Sequence, residues 1–137
     1  MDKQTLLVIE DNEDIRSLVT SRLVNSGFNV VGAADGASGL AKARQICPDL
    51  ILLDLMIPKL SGEEVCKAIR EDKDKRFANI PILMLTAKTA DVDRVIGRVL
   101  GANAYMTKPF DAILLIKEIN KLIEPSFPES CWIAELS

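Results

Sequence analysis

One stretch, residues 49–54, constrains the fold of this chain more than any other. Four consecutive apolar residues lie between two aspartates and end at the carboxylate of Asp54. The run is too short for a typical helix and predicts a strand buried on both faces, as in a parallel sheet. Pro48 precedes it, and Pro58 and Gly62 mark the loop that follows. Asp54 is therefore expected at the carboxyl end of a central strand, the edge where open α/β sheets bind ligands. By itself, an aspartate there is more often the cap of a turn or of the next helix.

Four other apolar runs predict further strands, at residues 6–9, 28–33, 82–86 and 104–108. Helical periodicity predicts helices between them, over residues 15–26, 36–45, from 62 into the charged run 71–76, and 92–99. The charged run is expected to be a solvated helix end and loop, since mixed-sign runs usually face water. Five strands alternating with five helices predict a parallel sheet with helices on both faces.

The last predicted helix begins near Asp111, a plausible N-cap residue. Its isoleucines recur at helical spacing, and we expect Ile113, Ile116, Ile119 and Ile123 to face the core. Residues 1–123 are predicted to form one domain. Residues 124–137 differ in composition, with two prolines followed by a tryptophan. They are interpreted as a loosely packed tail, a docking segment or a linker cut short of a further domain.

Composition excludes several classes of protein. The 137 residues are enough for one domain with a single core, and no apolar run approaches the roughly 20 residues that span a membrane. The net charge of −3, without a basic stripe, argues against nucleic acid as a direct partner. The chain has no histidine, which removes Ser-His and Cys-His catalysis and His-metal sites. Its three cysteines show no metal-ligand spacing and indicate ordinary thiols in a reducing compartment, expected to be the cytoplasm.

Polar side chains stand at the carboxyl ends of four of the predicted strands. These residues are Glu10, Asp11, Asp54, Thr86 and Lys108. Because parallel strands share that edge, we expect the five side chains to converge on one crevice. An oxygen-only set without histidine or cysteine suits Mg²⁺, with Mn²⁺ as an alternative.

The chemistry of the set points to phosphoryl transfer. Asp54 can act as a carboxylate nucleophile, as in enzymes that form an aspartyl phosphate. Lys108 can supply a positive charge and Thr86 a hydroxyl donor for phosphoryl oxygens. An acidic metal site without catalysis, or a buried ion pair of an aspartate with Lys108, remains an alternative.

With these residues the chain resembles the receiver domains of response regulators in two-component signalling, especially the stand-alone chemotaxis regulators. The matching motifs run in order from Thr5 to about Ile123: Glu10-Asp11, Asp54, Met56-Ile57-Pro58 with Gly62, Thr86-Ala87, Tyr105 and Lys108-Pro109-Phe110. The resemblance implies a flavodoxin-like (βα)5 doubly wound sheet with strand order 2-1-3-4-5. It departs at Glu10, where aspartate is commoner in the family; the extra methylene could shift the geometry of a metal site.

The resemblance also implies a role for each site residue. Asp54 would accept a phosphoryl group from a histidine on a sensor kinase or a phosphotransfer protein of a phosphorelay. Glu10, Asp11, Asp54 and the backbone carbonyl of Met56 would hold Mg²⁺. Thr86 and Lys108 would bind phosphoryl oxygens, Tyr105 would turn inward when Thr86 moves, and the Lys108–Pro109 peptide would be cis.

The implied protein is a signalling receiver that catalyses its own phosphorylation and dephosphorylation. Its output would be docking of a protein target or formation of a homodimer, through the face built from the predicted helix 92–99, the fifth strand and the last helix. No direct contact with nucleic acid or membrane is expected.

Two other classes of protein remain as alternatives. A phosphatase of the haloacid-dehalogenase type also uses Mg²⁺ and an aspartate nucleophile, but it needs a second acid two residues later, where this chain has Met56. A flavin- or nucleotide-binding module on the same fold needs a glycine- or hydroxyl-rich loop after the first strand. Residues 10–14, Glu-Asp-Asn-Glu-Asp, would instead repel a phosphate that arrives without a metal.

Overall fold

The structure is a computed structural model that describes residues 3–55, 57–86, 101–108 and 110–123. Its five strands are β1 Thr5–Ile9, β2 Asn29–Ala33, β3 Leu50–Asp54, β4 Ile82–Thr86 and β5 Ala104–Thr107. They form one sheet in the order β2-β1-β3-β4-β5, and every neighbouring pair is parallel. The predicted doubly wound sheet with order 2-1-3-4-5 is confirmed, and each strand boundary lies within one residue of the prediction.

The described helices are α1 Glu13–Asn25, α2 Gly36–Ile46, α3 Gly62–Arg70, α4 Lys75–Ala78 and α5 Ala112–Ile123. The sequence did not predict α4, a single helical turn that begins in the charged run 71–76 and ends two residues after it. Asp74 caps this turn by accepting a hydrogen bond from the backbone N–H of Arg76, and Phe77 anchors it in the core. The helix predicted over residues 92–99 and the tail 124–137 lie outside the described residues.

The sheet separates two apolar layers, and β3 is buried along its whole length. Side chains alternate across a strand, so each of β1 and β3 contributes to both layers. The layer with residues of α2 and α3 contains Leu7, Ile9, Ile51 and Leu53. The layer with residues of α1 and α5 contains Leu6, Val8, Leu50 and Leu52. Burial on both faces explains why β3 is a continuous apolar run. In the part of the chain that the structure describes, no helix combines the length and apolar character needed to cross a membrane.

The inward face of α5 differs from the prediction. Ile113 is 67% exposed, whereas Leu115 is only 1% exposed and, with Ile119, meets the sheet. Two residues correspond to about 200° around a helix, so a stripe centred on Leu115 turns Ile113 toward solvent. Ile116 and Ile123 are partly buried beside this stripe. Asp111 does cap the helix, because its Oδ1 accepts a hydrogen bond of 2.7 Å from the backbone N–H of Ile113.

Candidate functional site

Three strand ends bring an acidic pair and a lysine together at the carboxyl edge of the sheet. Glu10 follows β1, Asp54 ends β3, and Lys108 follows β5. The Nζ of Lys108 donates to Oε1 of Glu10 at 2.5 Å and to Oδ2 of Asp54 at 2.9 Å. These contacts join residues 98 and 54 positions apart in the sequence, so the topology of the sheet creates the site.

The carboxylates of Glu10, Asp11 and Asp54 form one cluster. Each offers one oxygen, and the three oxygens lie within 4.8 Å of one another. Glu10 and Asp54 are 1% and 4% exposed, whereas Asp11 faces solvent. A set of hard oxygen donors with one open side fits a divalent cation that binds few carboxylates and keeps several waters, as Mg²⁺ does. The residues present therefore fit the metal that the sequence predicts.

Lys108 is the cation that this cluster holds in the structure. Partial burial of its ammonium acts to lower the pKa of Lys108, since burial penalises the charged form. Hydrogen bonds from the ammonium to Glu10 and Asp54, together with the charges of both carboxylates, outweigh that effect and raise the pKa of Lys108 above its usual value. Lys108 is thus protonated across the physiological range and available as a donor to an anion.

The loop that leads away from Asp54 is held by two glycines. A Cβ at Gly62 would lie 2.6 Å from the carbonyl oxygen of Asp54, and one at Gly36 would lie 1.8 Å from the carbonyl oxygen of Leu60. The N–H of Gly62 donates to Leu55 and that of Gly36 donates to Pro58, at 3.1 Å each. These close backbone contacts fix where the chain turns after the end of β3.

The other predicted site residues are placed only in part. Thr86 ends β4 beside Thr107, at the same edge as Asp54, but its side chain lies outside the described part of the molecule. Met56 and Pro109 are also outside it, so the carbonyl ligand and the cis peptide remain predictions. Tyr105 lies on β5, half-buried, and packs against the layer that contains α2 and α3.

Sequence reasoning missed two residues beside Glu10. The N–H of Asn12 donates to Oε2 of Glu10 at 3.3 Å, and its side chain caps α1 by accepting from the N–H of Ile15. Arg16 donates to the backbone carbonyl of Glu10 at 2.8 Å. An asparagine just before a helical pattern is a recognisable N-cap signal, whereas no sequence pattern announces the contact of Arg16.

Comparison with protein families gives a match to the response regulator receiver domain over residues 6–120. That range includes β1 from Leu6 onward, the other four strands in full, and the residues Glu10, Asp11, Asp54 and Lys108.

Curated proteins with similar sequences include transcriptional regulators. The chain is 46% identical over 119 residues to the alkaline phosphatase synthesis transcriptional regulatory protein PhoP of Bacillus subtilis, covering 87% of this chain and 46% of PhoP. It is 38% identical over 117 residues to the DNA-binding response regulator MtrA of Mycolicibacterium smegmatis, covering 85% of this chain and 49% of MtrA. The chain therefore spans about half the length of the curated relatives it matches.

Solved structures of similar fold include a chemotaxis protein and the receiver domain of a sensor histidine kinase. The chemotaxis protein CheY4 of Vibrio cholerae superposes with a TM-score of 0.81 at 33% identity, covering 88% of this chain and 99% of CheY4. The receiver domain of a sensor histidine kinase from Pseudomonas aeruginosa, solved with a magnesium ion coordinated in its active-site cleft, gives 0.81 at 30% identity. That match covers 89% of this chain and 98% of the solved receiver domain.

Proposed function

Because this chain belongs to the response regulator receiver domain family of two-component signalling, we propose that Asp54 accepts a phosphoryl group from a partner histidine kinase. The observation that carries the proposal is the position of Asp54, a carboxylate at the end of the central strand that contacts Lys108 and clusters with Glu10 and Asp11. It is buried against the sheet but lies at the ligand-binding edge.

The proposed reaction is a phosphoryl transfer in which the chain itself supplies the positioning. A carboxylate oxygen of Asp54 forms a bond to phosphorus as the bond between phosphorus and the donor histidine nitrogen breaks. Lys108, which now donates to Glu10 and Asp54, would turn its ammonium to the phosphoryl oxygens as their charge arrives. Attack of water on the same phosphorus would release inorganic phosphate and restore Asp54, so the chain would catalyse both directions of the switch.

A divalent cation would be held by Glu10, Asp11 and Asp54, with the carbonyl of Met56 as a further ligand. When bound, Mg²⁺ would neutralise charge on the transferring group, and Mn²⁺ has similar ligand preferences. The chain's own contribution is a preformed acidic cluster beside a lysine, which balances part of its charge before any ligand arrives.

For output we propose a change of the face that includes β5 and α5. An open groove of about 610 Å³ lies there, lined in part by Tyr105, Met106 and Leu114. Thr86 would move toward the phosphoryl group and Tyr105 would turn inward, so that a local charge event biases an element with two packings. The altered face would dock a protein target or form a symmetric dimer.

The family match favours the receiver over the alternatives of an aspartyl-phosphate phosphatase or a nucleotide-binding module. The likeness to stand-alone chemotaxis regulators rests on solved structures, whereas PhoP and MtrA are transcriptional or DNA-binding regulators about twice the length of this chain's match. DNA binding, which the names of some of them state, belongs to those whole proteins. For this domain we propose protein contacts as the output, and a cytoplasmic location that agrees with the exposed thiol of Cys47.

Phosphorylation of the chain by acetyl phosphate should depend on the divalent cation. Without it, the carboxylates of Glu10 and Asp11 oppose an incoming phosphate. We expect intact-mass spectrometry to show one added phosphoryl group with Mg²⁺ and almost none with excess chelator. Asp11→Asn should need more Mg²⁺ for the same labelling, while Asp14→Asn, a matched change at an exposed aspartate on α1, should behave as wild type. Equal labelling with and without chelator would contradict the metal role.

Thr86→Ala should separate phosphorylation from output. Asp54, Lys108 and the acidic cluster remain, so labelling should proceed close to the wild-type extent. The substitution removes the hydroxyl that we propose moves toward the phosphoryl group and donates a hydrogen bond to it. The coupling free energy between two sites of such a switch is typically about 1–3 kcal/mol. We therefore expect dimerisation or target binding of the phosphorylated variant to weaken about 5- to 150-fold. Analytical ultracentrifugation with beryllofluoride, a phosphoryl mimic, measures the dimer. Thr20→Ala on α1, outside the proposed output face, is the matched control. Unchanged association of Thr86→Ala would refute the switch.

A further inference from the structure

Arg16 on α1 reaches back to the strand end that carries Glu10. Its Nη1 donates to the backbone carbonyl oxygen of Glu10 at 2.8 Å, and the side chain is half-buried. On the way it crosses Gly32 of β2, where a Cβ would lie 3.3 Å from the Cδ of Arg16. The guanidinium is therefore seated between α1 and the ends of β1 and β2.

The contact fixes a peptide group that belongs to two members of the acidic cluster. The carbonyl of Glu10 lies in the same rigid plane as the N–H and Cα of Asp11. Other contacts of Glu10 hold its N–H, which donates to Ala33 at 3.0 Å, and its carboxylate, which accepts from Asn12 and Lys108. Among the hydrogen bonds that the structure describes at Glu10, that of Arg16 is the one that sets the direction of the Glu10–Asp11 peptide.

We infer that Arg16 is a positioning residue for the divalent cation: it holds the Glu10–Asp11 peptide so that both carboxylates face Asp54. This inference rests on the metal site of the proposed function and adds to it a residue that touches neither the cation nor the phosphoryl group. Partners that orient metal ligands commonly contribute about 10- to 100-fold to metal affinity. Because Arg16 contacts the main chain of Glu10 and not a ligand carboxylate, we expect an effect on metal affinity at the lower end of that range.

Charge alone predicts the opposite sign. The positive guanidinium lies near the cluster, so its field repels a cation, and its removal would tighten Mg²⁺ binding if Arg16 did not position the ligands. A purely structural role would lower the thermal stability of the chain and leave the affinity of the folded protein for Mg²⁺ unchanged. The direction of the change in affinity therefore separates the three roles.

The experiment titrates Mg²⁺ into the full chain by isothermal titration calorimetry, at a temperature where thermal unfolding shows every variant to be folded. Arg16→Gln should raise the Kd for Mg²⁺ about tenfold. Arg22→Gln makes the same chemical change at an exposed position on the same helix and should leave the Kd near the wild-type value. Arg16→Lys keeps the charge and one donor, so it should show a smaller loss, and it carries the test if Arg16→Gln does not fold.

An unchanged or lower Kd for Arg16→Gln, with Arg16→Lys equal to wild type, would overturn the positioning role. Failure of the wild-type chain to bind Mg²⁺ is a distinct result: it would refute the proposed metal site, and the inference with it.

Discussion

Asp54→Asn is expected to abolish phosphorylation of this chain. Wild type treated with acetyl phosphate and Mg²⁺ should gain one phosphoryl group by intact-mass spectrometry, and the variant should gain none. The amide of asparagine matches the carboxylate in shape but is not a nucleophile toward phosphorus. The variant should also weaken the binding of Mg²⁺, since one of the three clustered carboxylates loses its charge.

Asp35→Asn is the matched control. Asp35 also lies near the carboxyl edge, where it caps α2 and forms an ion pair with Lys59. Asparagine caps helices about as well as aspartate, so this control should fold and be labelled normally. Full labelling of Asp54→Asn would place the phosphoryl group elsewhere and would remove the basis of the proposed function.

The strands and the site could be predicted from sequence for one physical reason. Leu50 to Leu53 is apolar throughout because β3 is buried on both faces, and a polar residue can follow only where the strand leaves the core. Parallel strands carry such ends to one edge, which is why Glu10, Asp54 and Lys108 could be grouped before any contact was known.

Three features could not be predicted in the same way. The periodicity of α5 offered several apolar stripes, and only the position of the helix on the sheet decides that Leu115 is buried and Ile113 exposed. The direct contact of Glu10 with Lys108 depends on side-chain reach, which residue spacing does not contain. A hydrogen bond from a side chain to a backbone carbonyl outside its own turn, such as that of Arg16 to Glu10, cannot be recognised from sequence, because every residue type has that carbonyl.

Among the described residues, Arg70 makes an extensive contact of this kind, with four hydrogen bonds at the edge opposite the acidic cluster. Its Nη1 donates to the carbonyl oxygens of Ala78 at 2.7 Å and Ile80 at 2.8 Å. Its Nε donates to Gly101 at 2.9 Å and its Nη2 to Oδ1 of Asn103 at 2.7 Å. One side chain at the end of α3 thus holds the end of α4, the residues that follow it and the segment before β5.

The contact extends into the sheet through Asn103. Its Oδ1 also accepts from the N–H of Ile82 at 2.9 Å, and its own N–H donates to the carbonyl of Ile82 at the same distance. These bonds set the start of β4 against the start of β5. Removing the guanidinium would leave several partly buried acceptors without their donor, at about 1–3 kcal/mol for each one that water cannot reach.

We therefore expect Arg70→Ala to lower the free energy of unfolding by about 3 kcal/mol, a large part of the roughly 5–15 kcal/mol that holds a domain folded. Urea denaturation measures the change. Lys67→Ala on the same helix is the control: this side chain is 70% exposed and makes an ion pair with Glu71 at 3.9 Å, so its loss should cost less than about 1 kcal/mol.

The affinity of folded Arg70→Ala for Mg²⁺ should equal that of wild type, because the network lies at the amino ends of β4 and β5 and the acidic cluster at the carboxyl ends of β1 and β3. Arg70→Lys should recover only part of the stability, since one ammonium cannot reproduce donors that diverge in a planar fork toward two chain segments. If Arg70→Ala unfolds in urea as the control does, water replaces the guanidinium at these carbonyls and the contacts of Arg70 add little to stability.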